Sequence, residues 1–186
     1  MTNHTVFPAS QAGHLDNRLR KLLFNPEGIA KRFVDPGDNV LDIGCGTGFL
    51  SRSLARRVGE TGMVTAVDIQ QEMLDLLKKS ADEEGVLARI RTHLAEPYTL
   101  GLSGSETFNL AVAWYVVHET LDPARLFREV MTLLVPGGRF LMVEPMFVIQ
   151  RATFEKECNM AEGAGFSIES KPFFVMSRSV LFTRGK

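Results

Sequence analysis

Short apolar segments alternate with longer amphipathic ones along most of the chain, and each kind has the length of one structural element. Between the apolar segments, hydrophobic residues recur with helical spacing, as at Leu50, Leu54 and Val58. Strands that alternate with helices are typical of βαβ units, so the pattern predicts an α/β fold on a mostly parallel sheet. The predicted strands at 40–43, 63–67 and 108–113 are almost continuously apolar, as expected when helices cover both faces. Further strands are predicted at 89–93 and 139–143.

One helix has signals for both of its ends. Asp122 can cap it and Pro123 fits its first turn. Apolar residues at 126, 127, 130, 133 and 134 give it one buried face, and we expect Pro136-Gly137-Gly138 to end it.

The C-terminal part follows a different pattern. A helix with Phe154, Cys158 and Ala161 on one side is expected to stop at Gly163 to Gly165. Two extended segments follow, 167–174 and 179–184, and the link between them is too short for a helical crossover. We therefore expect an antiparallel pair at the sheet edge.

Length and composition fit one domain over 1–186. With 45% hydrophobic and 23% charged residues, the chain is large enough to bury a core. We expect a helical cap over 1–35, with helices at 15–24 and 26–33 lying over the site, and a Rossmann-like core over 36–186.

Charge and cysteine content argue against several partners. The net charge is −1 and no long basic run is present, so we expect no nucleic-acid partner. Two cysteines provide neither a disulfide framework nor a metal-ligand set. The sequence shows no signal-peptide core and no membrane-spanning stretch, so we expect a cytoplasmic location and no membrane partner.

The loop after the first strand carries the main chemical signal, Asp42-Ile43-Gly44-Cys45-Gly46-Thr47-Gly48. Its glycines allow positive φ, and the N–H groups of the following helix start can face a ligand. The G-x-G-x-G spacing differs from the dinucleotide pattern G-x-G-x-x-G, and Asp42 would repel a pyrophosphate but attract an ammonium group. Both features favour S-adenosylmethionine over a nicotinamide cofactor. Cys45 is better explained as a small spacer than as a nucleophile.

A second acid follows the next predicted strand. Asp68 stands 20 residues after Gly48, where a carboxylate can accept hydrogen bonds from both ribose hydroxyls. That role is common to many nucleotide-binding enzymes, so Asp68 supports an adenosyl ligand without choosing between cofactors.

Four segments occur in a recognisable order, namely VLDIGCGTG, VTAVDIQQEML, ETFNLAVAWYVVHETLDP and LLVPGGRFLMVEP. Over about residues 20–186 they resemble the class I S-adenosylmethionine-dependent methyltransferases, in the small-molecule branch often labelled methyltransferase type 11. The resemblance implies a doubly wound, seven-stranded, mostly parallel sheet with an antiparallel seventh strand and helices on both faces. It implies in-line methyl transfer to a small-molecule acceptor. It also implies that the cofactor is bound by Asp42, Gly44, Gly46, Gly48, Asp68, Ile69, Met73, Leu94, Ala95 and Ala113.

One position departs from the family pattern. Family members often carry an Asp-Ala pair after the third strand, where it recognises adenine. This chain has His93-Leu94-Ala95-Glu96, with Leu94 in place of the Asp. Adenine would then bond to the backbone or to Glu96.

His118 and Glu144 are the candidates for acid–base chemistry. They follow the fourth and end the fifth predicted strands, and open α/β sheets bind ligands at the carboxyl ends of strands. His118 could deprotonate a hydroxyl, amine or thiol, or it could pack and hydrogen-bond beneath the adenosyl group. Because an already nucleophilic acceptor needs no base, the sequence favours the structural role. The spacing of His118, Glu119 and Glu144 matches no metal signature, so we expect no metal.

Several aromatic and methionine residues lie near the predicted entrance to the binding site, namely Phe7, Phe24, Met146, Phe147, Phe173, Phe174 and Met176. They would suit a flat or apolar acceptor, although core packing explains them equally well. Two alternatives to a methyltransferase stay open on the sequence alone. One is a nicotinamide-dependent oxidoreductase, and the other is a non-catalytic module that binds S-adenosylmethionine.

Overall fold

The computed structural model describes residues 24–185, and these residues fall into two compact units, 24–95 and 96–185. The predicted helix at 15–24 lies outside the described residues except for Phe24. Between residues 24 and 185, no helix has the length and apolar character needed to cross a bilayer.

The first unit is a βαβ arrangement whose strands are almost entirely buried. β1 pairs in parallel with β2, and β2 pairs in parallel with β3. Every residue of β1 after Asn39 and of β2 after Met63 is buried, which confirms strands covered on both faces. The elements of this unit are α1 (Pro26–Phe33), β1 (Asn39–Ile43), α2 (Ser51–Val58), β2 (Met63–Asp68), α3 (Gln71–Glu83), a 3-10 turn (Leu87–Arg89) and β3 (Ile90–Leu94).

The second unit contains the antiparallel pair that the sequence predicts. β5 pairs in parallel with β4 and antiparallel with β7, and β6 pairs antiparallel with β7. Asp122 caps the first helix of this unit by accepting the N–H of Arg125 at 2.9 Å, as expected. The elements are β4 (Phe108–Trp114), a 3-10 turn (Val117–Glu119), α4 (Pro123–Leu133), β5 (Leu134–Pro145), α5 (Arg151–Gly163), β6 (Phe166–Ser170) and β7 (Ser177–Arg184).

All seven strands belong to one sheet in the order β3-β2-β1-β4-β5-β7-β6. The Rossmann-like fold class and the antiparallel seventh strand are therefore confirmed.

Two element boundaries differ from the prediction. Helix α4 ends at Leu133, before Pro136-Gly137-Gly138, and these three residues lie inside β5. A Cβ on Gly138 would lie 2.8 Å from the carbonyl oxygen of Val135, so the glycine serves the close packing of the strand rather than the end of the helix. Strand β6 ends at Ser170 instead of Phe174, because Pro172 has no N–H to donate to the sheet.

Candidate functional site

The loop between β1 and α2 adopts a backbone conformation that glycine tolerates best. Gly44, Gly46 and Gly48 have φ values of 63°, 53° and 80°. These values lie in the left-handed region, where most side chains are strained. At Gly48 a Cβ would also lie 2.6 Å from Cγ of Leu77 on α3. The G-x-G-x-G spacing is thus a requirement of the loop's own shape.

Asp68, the last residue of β2, is bonded to this loop. One carboxylate oxygen accepts the N–H of Gly46 at 2.9 Å, and the other accepts the N–H of Gln70 at 3.0 Å. Burial raises the pKa of Asp68, and the backbone hydrogen bonds to Gln70, Gly46 and Ile69 offset this only in part. A carboxylate has about four acceptor positions, so a position for a further donor is left.

Asp42 lies on β1 just before the loop and is 3% exposed. Its carboxylate accepts the hydroxyl of Ser51, the first residue of α2, at 2.5 Å. Burial raises the pKa of Asp42 to about 7; the bond from Ser51 lowers it, and the charge of Asp68 raises it further. Within residues 24–185, no basic side chain forms an ion pair with either aspartate. The first unit therefore holds two neighbouring buried carboxyls without a compensating cation.

The residues around Asp68 complete this edge of the first unit. Asp68 and Leu94 are register partners at the ends of β2 and β3, and the N–H of Ala95 donates to the carbonyl of Asp68 at 2.9 Å. Ile69 is 41% exposed and Leu94 is 49% exposed, whereas Met73 is buried at 2%. The structure thus brings together most of the predicted cofactor residues, namely Asp42, Gly44, Gly46, Gly48, Asp68, Ile69, Leu94 and Ala95.

Arg52 supports the loop from inside, and the sequence analysis did not single it out. It is 2% exposed, its Nη1 donates to the carbonyl of Thr47 at 2.8 Å, and its Nε lies 3.1 Å from the carboxylate of Glu84. An arginine is rarely buried, so its position in α2 gave no local sign of this role.

In the second unit, His118 and Glu144 form a hydrogen-bonded pair. Glu144, near the end of β5, is fully buried. One of its oxygens accepts the N–H of Val117 at 2.9 Å, and the other bonds Nδ1 of His118. Nε2 of His118 lies 3.8 Å from the carboxylate of Glu119, which is too far for a hydrogen bond.

Three carboxylates set the pKa of His118. Burial lowers it, but the hydrogen bond and charge of Glu144 and the charges of Glu119 and Glu157 outweigh burial and raise the pKa above its usual value. Glu157, on α5, is 5% exposed, and one of its oxygens is buried without a hydrogen-bond partner in the described part of the chain. Burial and the charge of Glu144 raise the pKa of Glu157 to about 7, although His118 opposes the shift. The sequence analysis missed Glu157, because its role depends on packing against residues far away in sequence.

Exposed apolar side chains lie directly after β5, shortly beyond Glu144, and directly before β7. The N–H of Met146 donates to the carbonyl of Met176 at 3.0 Å, which joins the two segments. Phe174 packs edge-on against Trp114 with ring centroids 4.9 Å apart. We call the exposed members the apolar rim: Met146, Phe147, Val148, Phe173, Val175 and Met176.

Residues 40–138, more than half of the chain, match the family described as methyltransferase domain. The chain belongs to the class I S-adenosylmethionine-dependent methyltransferases. This membership confirms the family and the cofactor that the sequence predicts, and it sets aside the nicotinamide-dependent alternative. The methyltransferase fold also has close structural counterparts. A SAM-dependent methyltransferase from Aquifex aeolicus superposes with a TM-score of 0.85 at 22% identity, covering 96% of this chain and 98% of that one.

Curated relatives of this methyltransferase match over a shorter stretch. The ubiquinone/menaquinone biosynthesis C-methyltransferase UbiE of Haemophilus ducreyi is 33% identical over 129 residues, which cover 66% of this chain and 49% of that protein. The ubiquinone biosynthesis O-methyltransferase of Xanthomonas axonopodis pv. citri is 31% identical over 116 residues, covering 62% of this chain and 46% of that protein. The methyltransferase thus spans less than half the length of these two relatives.

Four further predictions for the methyltransferase concern Ala113, Cys45, a metal site and Phe7. Ala113 is completely buried inside β4, where its register partner is Met142, so it belongs to the second unit, whereas the other predicted cofactor residues belong to the first. Burial raises the pKa of the Cys45 thiol, which agrees with a spacer rather than a nucleophile. Among residues 24–185, no group of three or more His, Cys, Asp and Glu side chains is arranged to hold a metal ion. Phe7, one of the residues near the predicted entrance to the binding site, lies outside the described residues.

Proposed function

We propose that the chain transfers a methyl group from S-adenosylmethionine to a small-molecule acceptor, and that the first unit holds the cofactor. The observation that carries this proposal is the hydrogen bond from the Gly46 N–H to the carboxylate of Asp68. It joins the glycine loop and the acid at the strand end into one preorganised structure. S-adenosylmethionine supplies a methyl group on a positively charged sulfur, together with a ribose and an amino-acid end.

The residues of the loop fit these groups. Asp68 already accepts three backbone N–H groups and keeps an acceptor position for a ribose hydroxyl. Asp42 is a buried carboxyl with a raised pKa and no cation to balance it in the described part of the chain, so it would gain from the ammonium group of the cofactor. Gly44, Gly46 and Gly48 let the ligand approach the backbone.

The remaining predicted contacts differ in their support. Ile69, Leu94 and Ala95 flank Asp68 with exposed or partly exposed side chains, which favours contact with the adenosyl group. Met73 and Ala113 have buried side chains, so they are the weakest candidates. Adenine recognition through backbone atoms or Glu96 stays a prediction.

The names of two relatives support a small-molecule acceptor. Two of them are named for ubiquinone biosynthesis, one as a C-methyltransferase and one as an O-methyltransferase. We therefore propose a small-molecule acceptor. The absence of a nucleic-acid partner, a single methyltransferase domain over 1–186 with a cap over 1–35, and a cytoplasmic location stay predictions.

The cofactor assignment is tested by calorimetric titration with S-adenosylhomocysteine, the demethylated cofactor. Asp68→Ala removes a charge-assisted acceptor, a loss of about 1.5–3 kcal/mol, and should weaken binding tenfold or more. Asp75→Ala removes an aspartate of α3 with a 62% exposed side chain and is the matched control. Equal affinity in the unmodified protein and both variants would refute the site.

Turnover is tested separately. The unmodified protein is incubated with S-adenosylmethionine and a panel of small phenols, thiols and aromatic amines, and release of S-adenosylhomocysteine is measured. Methyl transfer to at least one acceptor is expected. Tight cofactor binding without any release would instead identify a non-catalytic binding module.

A further inference from the structure

Glu144 holds the ring of His118 in a defined orientation. One carboxylate oxygen of Glu144 is fixed by the N–H of Val117 at 2.9 Å, so the other is aimed at Nδ1 of the ring. The chain before the ring is also fixed. Tyr115 has a left-handed φ of 64°, its N–H donates to the carbonyl of Val143 at 2.8 Å, and its hydroxyl lies 2.6 Å from that of Ser177.

The orientation determines which nitrogen of neutral His118 carries the proton. An ionised carboxylate only accepts hydrogen bonds, so Nδ1 must donate to Glu144. The lone pair of the neutral ring is then on Nε2. The Nε2 atom has no hydrogen bond to Glu119, which is 3.8 Å away, and the side chain of His118 is 14% exposed.

We propose that His118 is the general base of the methyl transfer, that Glu144 positions it, and that the acceptor atom is the oxygen of an apolar, phenol-like hydroxyl compound. This inference rests on the methyl transfer proposed above. It reverses the structural role that the sequence favours for His118, because the sequence does not show that a buried carboxylate orients the ring.

In the proposed step, the acceptor O–H bond breaks and its proton binds Nε2 of His118, whose ring becomes imidazolium. The acceptor oxygen forms a bond to the methyl carbon as the bond between methyl and sulfur breaks, and the sulfur keeps the electron pair and becomes neutral. The carboxylates of Glu144, Glu119 and Glu157 all favour the charged imidazolium, so the ring is a stronger base than an isolated histidine.

Among oxygen, sulfur and nitrogen acceptors, a hydroxyl gains most from such a base. A phenol has a pKa of about 10, like tyrosine, so only about one molecule in a thousand is ionised at pH 7. A thiol, with a pKa of about 8.5, is ionised a few per cent of the time and gains much less from a base. A neutral amine already has a free lone pair.

The apolar rim gives the expected character of the rest of the acceptor. Met146 follows Glu144 by two residues, and Ser177, bonded to Tyr115, follows Met176 directly. The rim is therefore attached to the same segments that hold the His118–Glu144 pair within the second unit. Exposed Met and Phe side chains suit a flat apolar molecule rather than a charged one.

Glu144→Gln provides a test that does not depend on the acceptor. The N–H of Val117 needs an acceptor, so it would hold the amide oxygen of the substituted side chain, and the amide nitrogen would face Nδ1 of His118. Nδ1 would then become an acceptor, and the ring proton would move to Nε2, where it blocks the base. We expect ¹⁵N NMR of the His118 ring to show protonated Nδ1 in the neutral form of the unmodified protein and protonated Nε2 in Glu144→Gln. Glu119→Gln is the matched control and should keep the proton on Nδ1.

The kinetic test compares phenols with thiols from the acceptor panel. His118→Asn keeps a donor near the Nδ1 position for Glu144 but has no base. It should slow transfer to phenols by about 10²–10⁴-fold, while transfer to thiols falls less than about tenfold. Glu144→Gln should follow the same pattern, whereas Glu155→Gln, at an exposed glutamate of α5, should stay within about threefold. In the unmodified protein, the rate with phenols should rise with pH through the His118 pKa measured by NMR, which the three neighbouring carboxylates raise above its usual value.

The outcomes separate this inference from the proposed function. The inference would be overturned if His118→Asn transferred methyl groups to phenols at an unchanged rate. It would also be overturned if the neutral His118 ring of the unmodified protein carried its proton on Nε2. Either result would leave methyl transfer itself intact. Methyl transfer confined to thiols or amines would also overturn it. Failure to bind S-adenosylhomocysteine, or binding without turnover of any acceptor, would refute the proposed function itself.

Discussion

The two units bury their carboxylates in different ways. In the first unit, Asp42 and Asp68 lie close enough to repel each other, and no basic side chain between residues 24 and 185 forms an ion pair with them. In the second unit, Glu144 is more deeply buried but is bonded to both His118 and the N–H of Val117. A buried charge is costly unless it is paired and hydrogen-bonded. The second unit therefore supplies a partner that can be charged for Glu144, whereas Asp42 and Asp68 are stabilised only by hydrogen bonds within the described part of the chain.

The largest expected effect comes from removing the paired carboxylate. Glu144→Ala leaves the N–H of Val117 and the ring of His118 without their acceptor, so it should lower the free energy of unfolding by about 3–5 kcal/mol. Urea denaturation at pH 7 measures this, with Glu155→Ala, an exposed glutamate of α5, as the control that should change stability by less than about 0.5 kcal/mol. A loss below about 1 kcal/mol for Glu144→Ala would mean that the pair contributes little to folding.

In the first unit, removal of a buried carboxylate is expected to raise the free energy of unfolding instead of lowering it. Asp42 has a folded pKa of about 7, whereas an aspartate in an unfolded chain has a pKa of about 3.9. The unfolded state therefore ionises first as pH rises, so Asp42 costs stability increasingly between about pH 4 and pH 7, and by a constant amount above that. Asp42→Asn removes this cost and can still accept the hydroxyl of Ser51.

We therefore expect Asp42→Asn to be more stable than the unmodified protein by about 1–3 kcal/mol at pH 8 and equally stable near pH 4. Thermal or urea unfolding across this pH range gives the comparison. The same variant should bind S-adenosylhomocysteine more weakly. Reduced stability at pH 8 would show that Asp42 is already balanced by a partner of its own.

The smallest effect concerns the pH dependence of binding. If the ammonium group of the cofactor meets ionised Asp42, binding requires that the carboxyl lose its proton. The affinity for S-adenosylhomocysteine should then fall by up to about tenfold per pH unit below pH 7. Methylthioadenosine lacks the amino-acid end but keeps the ribose that we assign to Asp68. The affinity for methylthioadenosine should change less with pH. Parallel pH profiles for the two ligands would show that Asp42 does not bind the ammonium group.

The sequence predicts the fold and most of the first unit's site because both depend on local signals. The glycine spacing after β1 reflects the positive φ values of Gly44, Gly46 and Gly48, and Asp68 stands where the next strand ends. The seven-stranded sheet and its antiparallel last pair followed from segment lengths together with the family resemblance. The end of β6 was placed too late because the effect of Pro172 was not weighed.

The contacts that the sequence did not predict join residues that are distant along the chain. Glu144 and His118 are 26 residues apart, and Glu157 reaches them from another helix. Arg52 is buried by its contacts with Thr47 and Glu84. Burial of a charged side chain depends on where its partners lie after folding, which periodicity does not record.

Arg52 also gives the glycine loop a connection to the protein surface. Glu84, which contacts Arg52, also binds Arg56 at 2.6 Å, and Arg56 binds Glu27 of α1 at 2.5 Å. The side chain of Glu27 is 57% exposed. Two guanidinium groups and two carboxylates thus form a relay from solvent to the backbone of Thr47. Dissolved salt screens the exposed outer pair of this network, Glu27 and Arg56, far more than the buried hydrogen bond from Arg52 to Thr47.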